Sequence, residues 1–439
     1  MTTRLELCRE QAVDEMNNGN RALSNGKSLL VIGGGIAGLT AALEAAEAGC
    51  SVILIERSAF LGGRAIGFNL YFPKLCPPAC GFEINFRRIR NNPRITVLAQ
   101  AELEHLSGSA GNFEATVKLI PRFVTDACTL CGACAEACHV ERPDEFNFGL
   151  AKTKAVYLPH KMAFPAQYVI DRNACKKDCT ACTDACLYGA IDLDQEPERK
   201  KFRVSAVVLA TGWTPYDAAK ITNLGYGQFP NVVTNVLLER MAAVNGPTAG
   251  KILRPSDGKE PATVAFVQCA GSRDENHLPY CSSVCCSASL KHSTYIHKLY
   301  PDSQVTIFYI DTRTPGFLQD FYAKVSANDH LKMVKGKVGR VEEDPETHDL
   351  MVTVEEVLTG KKLTQKFSMV VLATGIVPQT DRLPLNLARD EFGFATNGTP
   401  GIFVTGCAKR PEEVSATVRD ATGAALKAMQ CAVRSAHHG

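Results

Sequence analysis

The clearest pattern of apolar and polar positions begins at residue 28. Ser28–Ile32 (SLLVI) is an unbroken apolar run of strand length. It leads into Gly33-Gly34-Gly35-Ile36-Ala37-Gly38, a G-x-G-x-x-G turn, and then into residues 39–48 (LTAALEAAEA), an alanine-rich helical stretch closed by Gly49. A second apolar run, 51–55, ends in Glu56. Strand, glycine turn, helix, strand and terminal acid in this order predict a dinucleotide-binding βαβ unit. Gly33 permits the tight turn, Gly35 lets backbone approach a pyrophosphate, and Gly38 allows helix and strand to pack closely. The helix N-terminus offers unpaired N–H groups to phosphate, and Glu56 is placed to accept from ribose hydroxyls.

Further apolar runs punctuate the rest of the chain. Residues 207–212 and 370–375 both read VVLATG, so Ala210, Thr211 and Gly212, and later Thr374 and Gly375, end buried strands. Leu61-Gly62-Gly63-Arg64 follows Glu56 closely, and 401–406 (GIFVTG) is another short strand ending in Gly406, with Cys407 and Lys409 after it. A strand at 263–268 (TVAFVQ) and one at 304–310 ending before Asp311 repeat the βαβ rhythm, but the turn between them reads Cys269-Ala270-Gly271-Ser272-Arg273-Asp274. One glycine remains of three, and the added Cβ atoms stand where a pyrophosphate would approach. We expect the fold there without the nicotinamide cofactor.

Composition narrows the class. The 439 residues exceed one ordinary domain, and 45% hydrophobic with 21% charged residues describe a globular protein. A formal net charge of +2 gives no pull toward nucleic acid or anionic membrane. No window approaches the ~18 apolar residues of a membrane span, and residues 1–27 have no apolar core of a signal peptide. We therefore expect a cytoplasmic protein that meets the inner face of the membrane only through partner subunits. No Ser-His-Asp or carboxylate-pair signature points to hydrolysis.

Cysteine changes the picture, with 18 in the chain. Cys128-x2-Cys131-x2-Cys134-x3-Cys138 has bacterial ferredoxin spacing, and Cys175-x3-Cys179-x2-Cys182-x3-Cys186 differs by one residue in its first gap. The fourth cysteine of each such run ligates the other cluster. One [4Fe–4S] centre is thus assigned to Cys128, Cys131, Cys134 and Cys186, and the second to Cys175, Cys179, Cys182 and Cys138. Zinc on four thiolates is the alternative, less natural for a three-residue final gap. His139 and Leu187 stand where ferredoxins carry proline. Residues 139–174, with His139, Tyr157, His160 and several prolines, are longer than a small ferredoxin needs and read as a partner-facing loop. Cys76-Pro77-Pro78-Ala79-Cys80 is either a redox pair, a ligand pair or a rigid proline turn.

The glycine turn, Gly62-Gly63-Arg64, the two Ala-Thr-Gly strands and the 401–406 segment together resemble the thioredoxin-reductase-like flavoproteins. That resemblance implies FAD, and an α/β two-dinucleotide-binding fold carrying an inserted ferredoxin-like 2[4Fe–4S] module. It also departs at one point, because the superfamily's Asp after the last glycine is Cys407 here. By the same alignment Cys407, Lys409 and Arg410 would stand by the isoalloxazine. The expected division is a tail at 1–27, FAD-binding segments at 28–125, 195–245 and 366–439, the insertion at 126–194, and a degenerate NAD(P)-type domain at 246–365.

The stretches 268–274 (QCAGSRD) and 280–286 (YCSSVCC) are similar to the A subunits of heterodisulfide reductases. The resemblance implies a third, atypical [4Fe–4S] cluster on Cys269, Cys281, Cys285 and Cys286, with packed free thiols as the alternative. Residues 71–90 and 406–430 look closer to the A subunits of quinone-interacting membrane-bound oxidoreductases of sulfur metabolism. An oxidoreductase subunit is implied, relaying electrons between a quinone-linked membrane partner and a soluble enzyme such as adenylylsulfate reductase. The alternatives are an A subunit of a sulfur-oxidising heterodisulfide-reductase-like complex and a free-standing NAD(P)H-dependent disulfide reductase.

Overall fold

The computed structural model describes residues 28–176 and 178–436; the expected tail at 1–27, with Cys8, lies outside them. Apolar runs with no polar alternation demand burial on both faces, and parallel sheets provide it. The first sheet has five parallel strands in the order Ile402–Val404, Ala206–Leu209, Ser28–Ile32, Ser51–Glu56, Ile95–Ala99. Its centre is fully buried: Leu29, Leu30 and Val31 have no exposed surface. Helices Ile36–Glu47 and Val414–Ala436 pack against each other over one face. Alanine makes this close approach possible, since Ala41, Ala42, Ala45, Ala425, Ala428 and Ala432 are all buried in the same core. A three-stranded antiparallel sheet, Glu198–Val204, Asn112–Leu119 and Ala101–Ser109, completes this half.

The second sheet has seven strands, ordered Val232–Thr234, Met369–Thr374, Thr263–Ala270, Gln304–Tyr309, Leu331–Glu343, Leu350–Glu356, Lys362–Phe367. The first five run parallel and the last two antiparallel. Helices Asn235–Ala242 and Cys285–Leu299 lie against it. A two-stranded ribbon, Trp213–Pro215 with Ile376–Pro378, carries the chain between the halves.

Two expected boundaries meet this topology and change. The strand Val232–Thr234 falls in the 195–245 segment and Met369–Thr374 in the 366–439 segment, yet both hydrogen-bond into the seven-stranded sheet. The two VVLATG runs therefore serve different sheets. Identical local sequence cannot say which partner strand it will pair with.

Residues 124–191 fold on their own small core, closed by a bridge between Val124 and Ile191. Two short helices, Ala133–Ala137 and Ala181–Asp184, each carry one cysteine of a run, Cys134 and Cys182, and two small ribbons, Glu141–Pro143 with Lys152–Lys154 and Val156–Tyr157 with Val169–Ile170, join them. Among the described residues no helix is long and apolar enough to cross a membrane.

Candidate cofactor cavity and thiolate sets

The glycine turn opens onto a cavity of about 610 Å³. Gly33 has φ +106°, and a Cβ there would overlap the Ala210 carbonyl; one on Gly38 would overlap the Gly33 carbonyl. Gly35 is different, since a Cβ there would meet only the Gly63 Cα at 3.9 Å. The turn is thus clamped on its inner side and open toward the cavity. Glu56 fixes it: one carboxylate oxygen accepts from the Gly34 N–H at 2.6 Å and the other from the Ser58 N–H at 2.7 Å.

Of the expected cofactor residues, Gly33, Gly35, Glu56, Gly63, Arg64, Ala210, Thr211, Gly212 and Cys407 line this cavity. Arg64 is held by its Nε–H to the Trp213 carbonyl at 2.6 Å, with its guanidinium over the Trp213 and Phe148 rings at 5.4 and 5.7 Å. Burial lowers it to about 10. Burial also pushes the Cys407 thiol up to about 11, and its Sγ donates to the Glu412 carbonyl at 3.5 Å. The buried Thr211 hydroxyl and one Glu412 carboxylate oxygen find no protein partner. Unpaired polar atoms beside a clamped, open glycine turn fit a polar dinucleotide.

Gly38, Gly62, Gly406, Thr374, Gly375 and Lys409 are not among the lining residues. Gly38 and Gly62 back the turn, a Gly62 N–H to Gly34 carbonyl bond holding the second glycine pair against the first. Lys409 turns away, its Nζ ion-paired with Asp420 at 2.6 Å, and Asp420 also accepts from the Thr405 hydroxyl and the Gly406 N–H. The cation expected at the flavin ring is therefore bound to a carboxylate on the last helix instead. Arg410 pairs with Glu412. Thr374 and Gly375 end the other sheet's strand, where the Thr374 carbonyl takes the Cys285 Sγ at 3.6 Å and its hydroxyl donates to Asn235 at 3.0 Å.

Sequence reasoning missed most of the opposite wall. Asn235, Val236, Glu239, Val284, Ala288, Lys291 and His292 come from the two helices of the seven-stranded half. Glu239 is buried and accepts from Lys291 at 2.9 Å, His292 at 2.5 Å, Tyr295 at 3.1 Å and the Asn69 N–H at 2.7 Å. Burial would raise its carboxyl, but Lys291 and His292 outweigh that and hold it far below the usual range. Glu239 and its partners come from three distant segments and carry no motif, so the sequence offered no signal.

Residues 139–174 also differ from expectation. His139 is exposed, but Glu145, Phe146, Phe148 and Tyr157 line the cavity and His160 is buried. Phe146 lies beneath the Arg240 guanidinium at 4.5 Å and stacks on His160 at 4.8 Å. Arg240, itself buried, donates to Asn147 and to the Gly67 carbonyl. The stretch covers the cavity because its aromatic residues find buried partners there.

Twelve of the described cysteines, all free thiols, fall into three electrostatic neighbourhoods. Burial, with Cys128 and Cys186 as charged neighbours, pushes Cys134 up to about 11; Cys131, Cys128 and Cys134 all act on Tyr168. Burial raises Cys175, with Cys138 and Cys182 beside it, and raises Cys182, with Cys179 beside it. Burial again raises Cys269 to about 11, with Cys286 and Cys281 acting on it, and Cys285 well above its ordinary value, with Cys286, Cys269 and Cys281 acting on it. Grouped thiols that resist ionisation alone lose their protons on ligating a metal, so the donors fit clusters. Among the described residues no group of three or more His, Cys, Asp or Glu side chains is arranged to hold a single ion.

The third set begins the helix Cys285–Leu299, and Val284, Ala288, Lys291 and His292 of the same segment line the cavity. Nearby, Asp311 is ion-paired with Arg273 at 2.5 Å and Gly271 is packed under Tyr216 and Ile221. Cys76 and Cys80 are exposed at the start of helix Pro78–Arg90 and do not line the cavity.

A family described as FAD dependent oxidoreductase matches residues 28–72. The A subunit of the H(2):CoB-CoM heterodisulfide,ferredoxin reductase of Methanothermobacter marburgensis is 36% identical over 418 residues, covering 91% of this chain and 63% of that protein. The iron-sulfur A subunit of the CoB--CoM heterodisulfide reductase of Methanocaldococcus jannaschii is 38% identical with the same coverage. The chain thus spans just under two thirds of the length of these relatives. Among solved structures, T. acidophilum thioredoxin reductase has a TM-score of 0.52 at 14% identity, covering 93% of this chain and 99% of its own. Lactococcus lactis thioredoxin reductase has 0.51, at the same identity and coverage. The thioredoxin-reductase-like fold is shared.

Proposed function

Starting from its homology to the heterodisulfide reductase A subunits over nine-tenths of its length, we propose that this chain is an electron-relay oxidoreductase subunit holding FAD and three [4Fe–4S] clusters. The observation that carries the reading is the helix Cys285–Leu299, which starts in a thiolate set and lines the cavity one turn later. FAD supplies exchange of electrons in pairs with one partner and singly with clusters. The chain's own residues do the rest. The Gly33–Gly38 turn and Glu56 bind and orient the dinucleotide. Phe146, Phe148 and Tyr157 give the cavity an apolar wall, beside which electrostatic interactions are stronger than in water. The twelve thiols divide into three four-membered donor sets.

Partners are other subunits of a heterodisulfide-reductase-like or quinone-interacting oxidoreductase complex. The finer reading is a link between a membrane quinone pool and a soluble sulfur-metabolism enzyme such as adenylylsulfate reductase. The Arg273–Asp311 pair and the packed Gly271 support the loss of NAD(P)H binding. Iron and acid-labile sulfide analysis with EPR of the reduced chain tests the cofactors: about twelve irons are expected, and about eight would remove the third cluster. Prompt bleaching of the flavin by NADH alone would overturn the relay reading.

A further inference from the structure

Arg122 precedes the first cysteine run and stands between it and the cavity wall. Its Nη2 donates to the Ala59 carbonyl at 2.9 Å and the Gln167 carbonyl at 3.3 Å, and its Nε to the Tyr168 carbonyl at 3.1 Å. Ala59 lines the cavity. On the other side, the Tyr168 hydroxyl lies 3.4 Å from where a Cβ on Gly132 would stand, within the Cys131–Cys134 turn. The main chain ties the same side together. The Ile170 N–H reaches the Arg122 carbonyl, the Thr125 N–H reaches the Ala190 carbonyl, and the Ala190 N–H donates to the Cys186 Sγ at 3.3 Å. The guanidinium is half-buried, and Tyr157, Cys128 and Asp126 are the groups that act on its charge. The other ferredoxin-type set has a different cation: the Arg172 charge acts on Cys175, the neighbour of Cys138 and Cys182.

We propose that, of the two ferredoxin-type sets, Cys128, Cys131, Cys134 and Cys186 form the one in electronic contact with the cavity, and that Arg122 is the positioning residue that holds it there. Arg122 then sets that centre's potential, while the Cys138, Cys175, Cys179 and Cys182 set lies one step further from the flavin. This inference rests on the cofactor reading above. A fixed cation favours the more negative, reduced form of a cluster and of a reduced flavin, and net charge is one of the terms that set cluster potential. Arg122 bonds both the cavity-lining Ala59 and the Tyr168 that packs on the first cysteine turn, so its charge is placed to act on both, whereas Arg172 acts on Cys175 of the outer set.

The test is redox-titrated EPR and visible spectroscopy of the purified full chain with Arg122→Gln or Arg172→Gln. In Arg122→Gln, one cluster's reduced-to-oxidised ratio at its former midpoint should fall about tenfold, about 59 mV for a one-electron couple. The flavin bands should move in the same direction. In Arg172→Gln the other cluster should move and the flavin should not. Equal movement of both clusters in Arg122→Gln, movement of neither, or a flavin shift in Arg172→Gln overturns the ordering. Should Arg122→Gln lose flavin or iron, Arg122→Lys, which keeps the charge and gives up the fork, is read instead. It should hold both cluster ratios within about threefold of the unaltered chain, and a tenfold change overturns the electrostatic role. Fewer than about eight irons in the unaltered chain would sink the cofactor reading rather than this ordering.

Discussion

Replacing His160 with phenylalanine should make the protein more resistant to acid. The His160 ring stacks on Phe146 at 4.8 Å with planes 21° apart and meets Phe60 edge-on at 4.9 Å. Its Nε2 is buried without a hydrogen-bond partner. Burial, and then the charge of Arg240, lower it to about 4. An unfolded histidine titrates near 6.5. A depressed value means that the neutral ring favours folding above about pH 6.5, and that this contribution is lost as pH falls toward about 4. Between pH 8 and pH 5 the unfolded chain takes up a proton that the folded chain refuses, a loss of about 2 kcal/mol. Phenylalanine keeps a ring against Phe60 and Phe146 and carries no proton. Urea midpoints of the two proteins, taken at one-unit steps from pH 8 to pH 5, should therefore diverge by about 2 kcal/mol in favour of His160→Phe. Parallel curves would mean that the folded ring accepts a proton, and that the insertion does not bury it over the cavity.

Three further outcomes follow from the same geometry. Gly38→Ala should yield protein with little bound flavin, read as the 450-nm-band absorbance per chain at about a tenth of normal or less, because its Cβ would overlap the Gly33 carbonyl; full flavin content would show the turn is not the clamp described. Glu239→Ala should cost about 3–5 kcal/mol in denaturant unfolding by leaving Lys291 buried and unpaired, and adding Lys291→Met should recover much of it. Cys134→Ser and Cys285→Ser should each remove about four irons while sparing one another's EPR signals; loss of the same signal in both would merge two sets into one.

Much of the site was legible because its chemistry is local. The Gly33–Gly38 turn, Glu56 and Arg64 lie within one short stretch, and the steric demands of a tight turn write themselves as glycine at fixed offsets. Cysteine spacing is local in the same way, since each four-cysteine run is written at fixed short offsets. Lys409 shows the limit. Its place after Gly406 suggested a cation at the ring, but the Asp420 carboxylate, one helix further on, holds it elsewhere.

What the sequence determined by itself was therefore the strand-turn-helix that opens the cavity, the spacing of the two four-cysteine runs, and the loss of glycines in the second βαβ turn. Only the tertiary structure decided which sheet each VVLATG run joins, that Phe146 lines the cavity with His160 stacked behind it, and that Glu239, Lys291 and His292 build its far wall. Local motifs encode backbone geometry, which repeats wherever the same chemistry is needed. Burial of a charge depends on which distant segments arrive beside it, and that is settled by packing the whole chain.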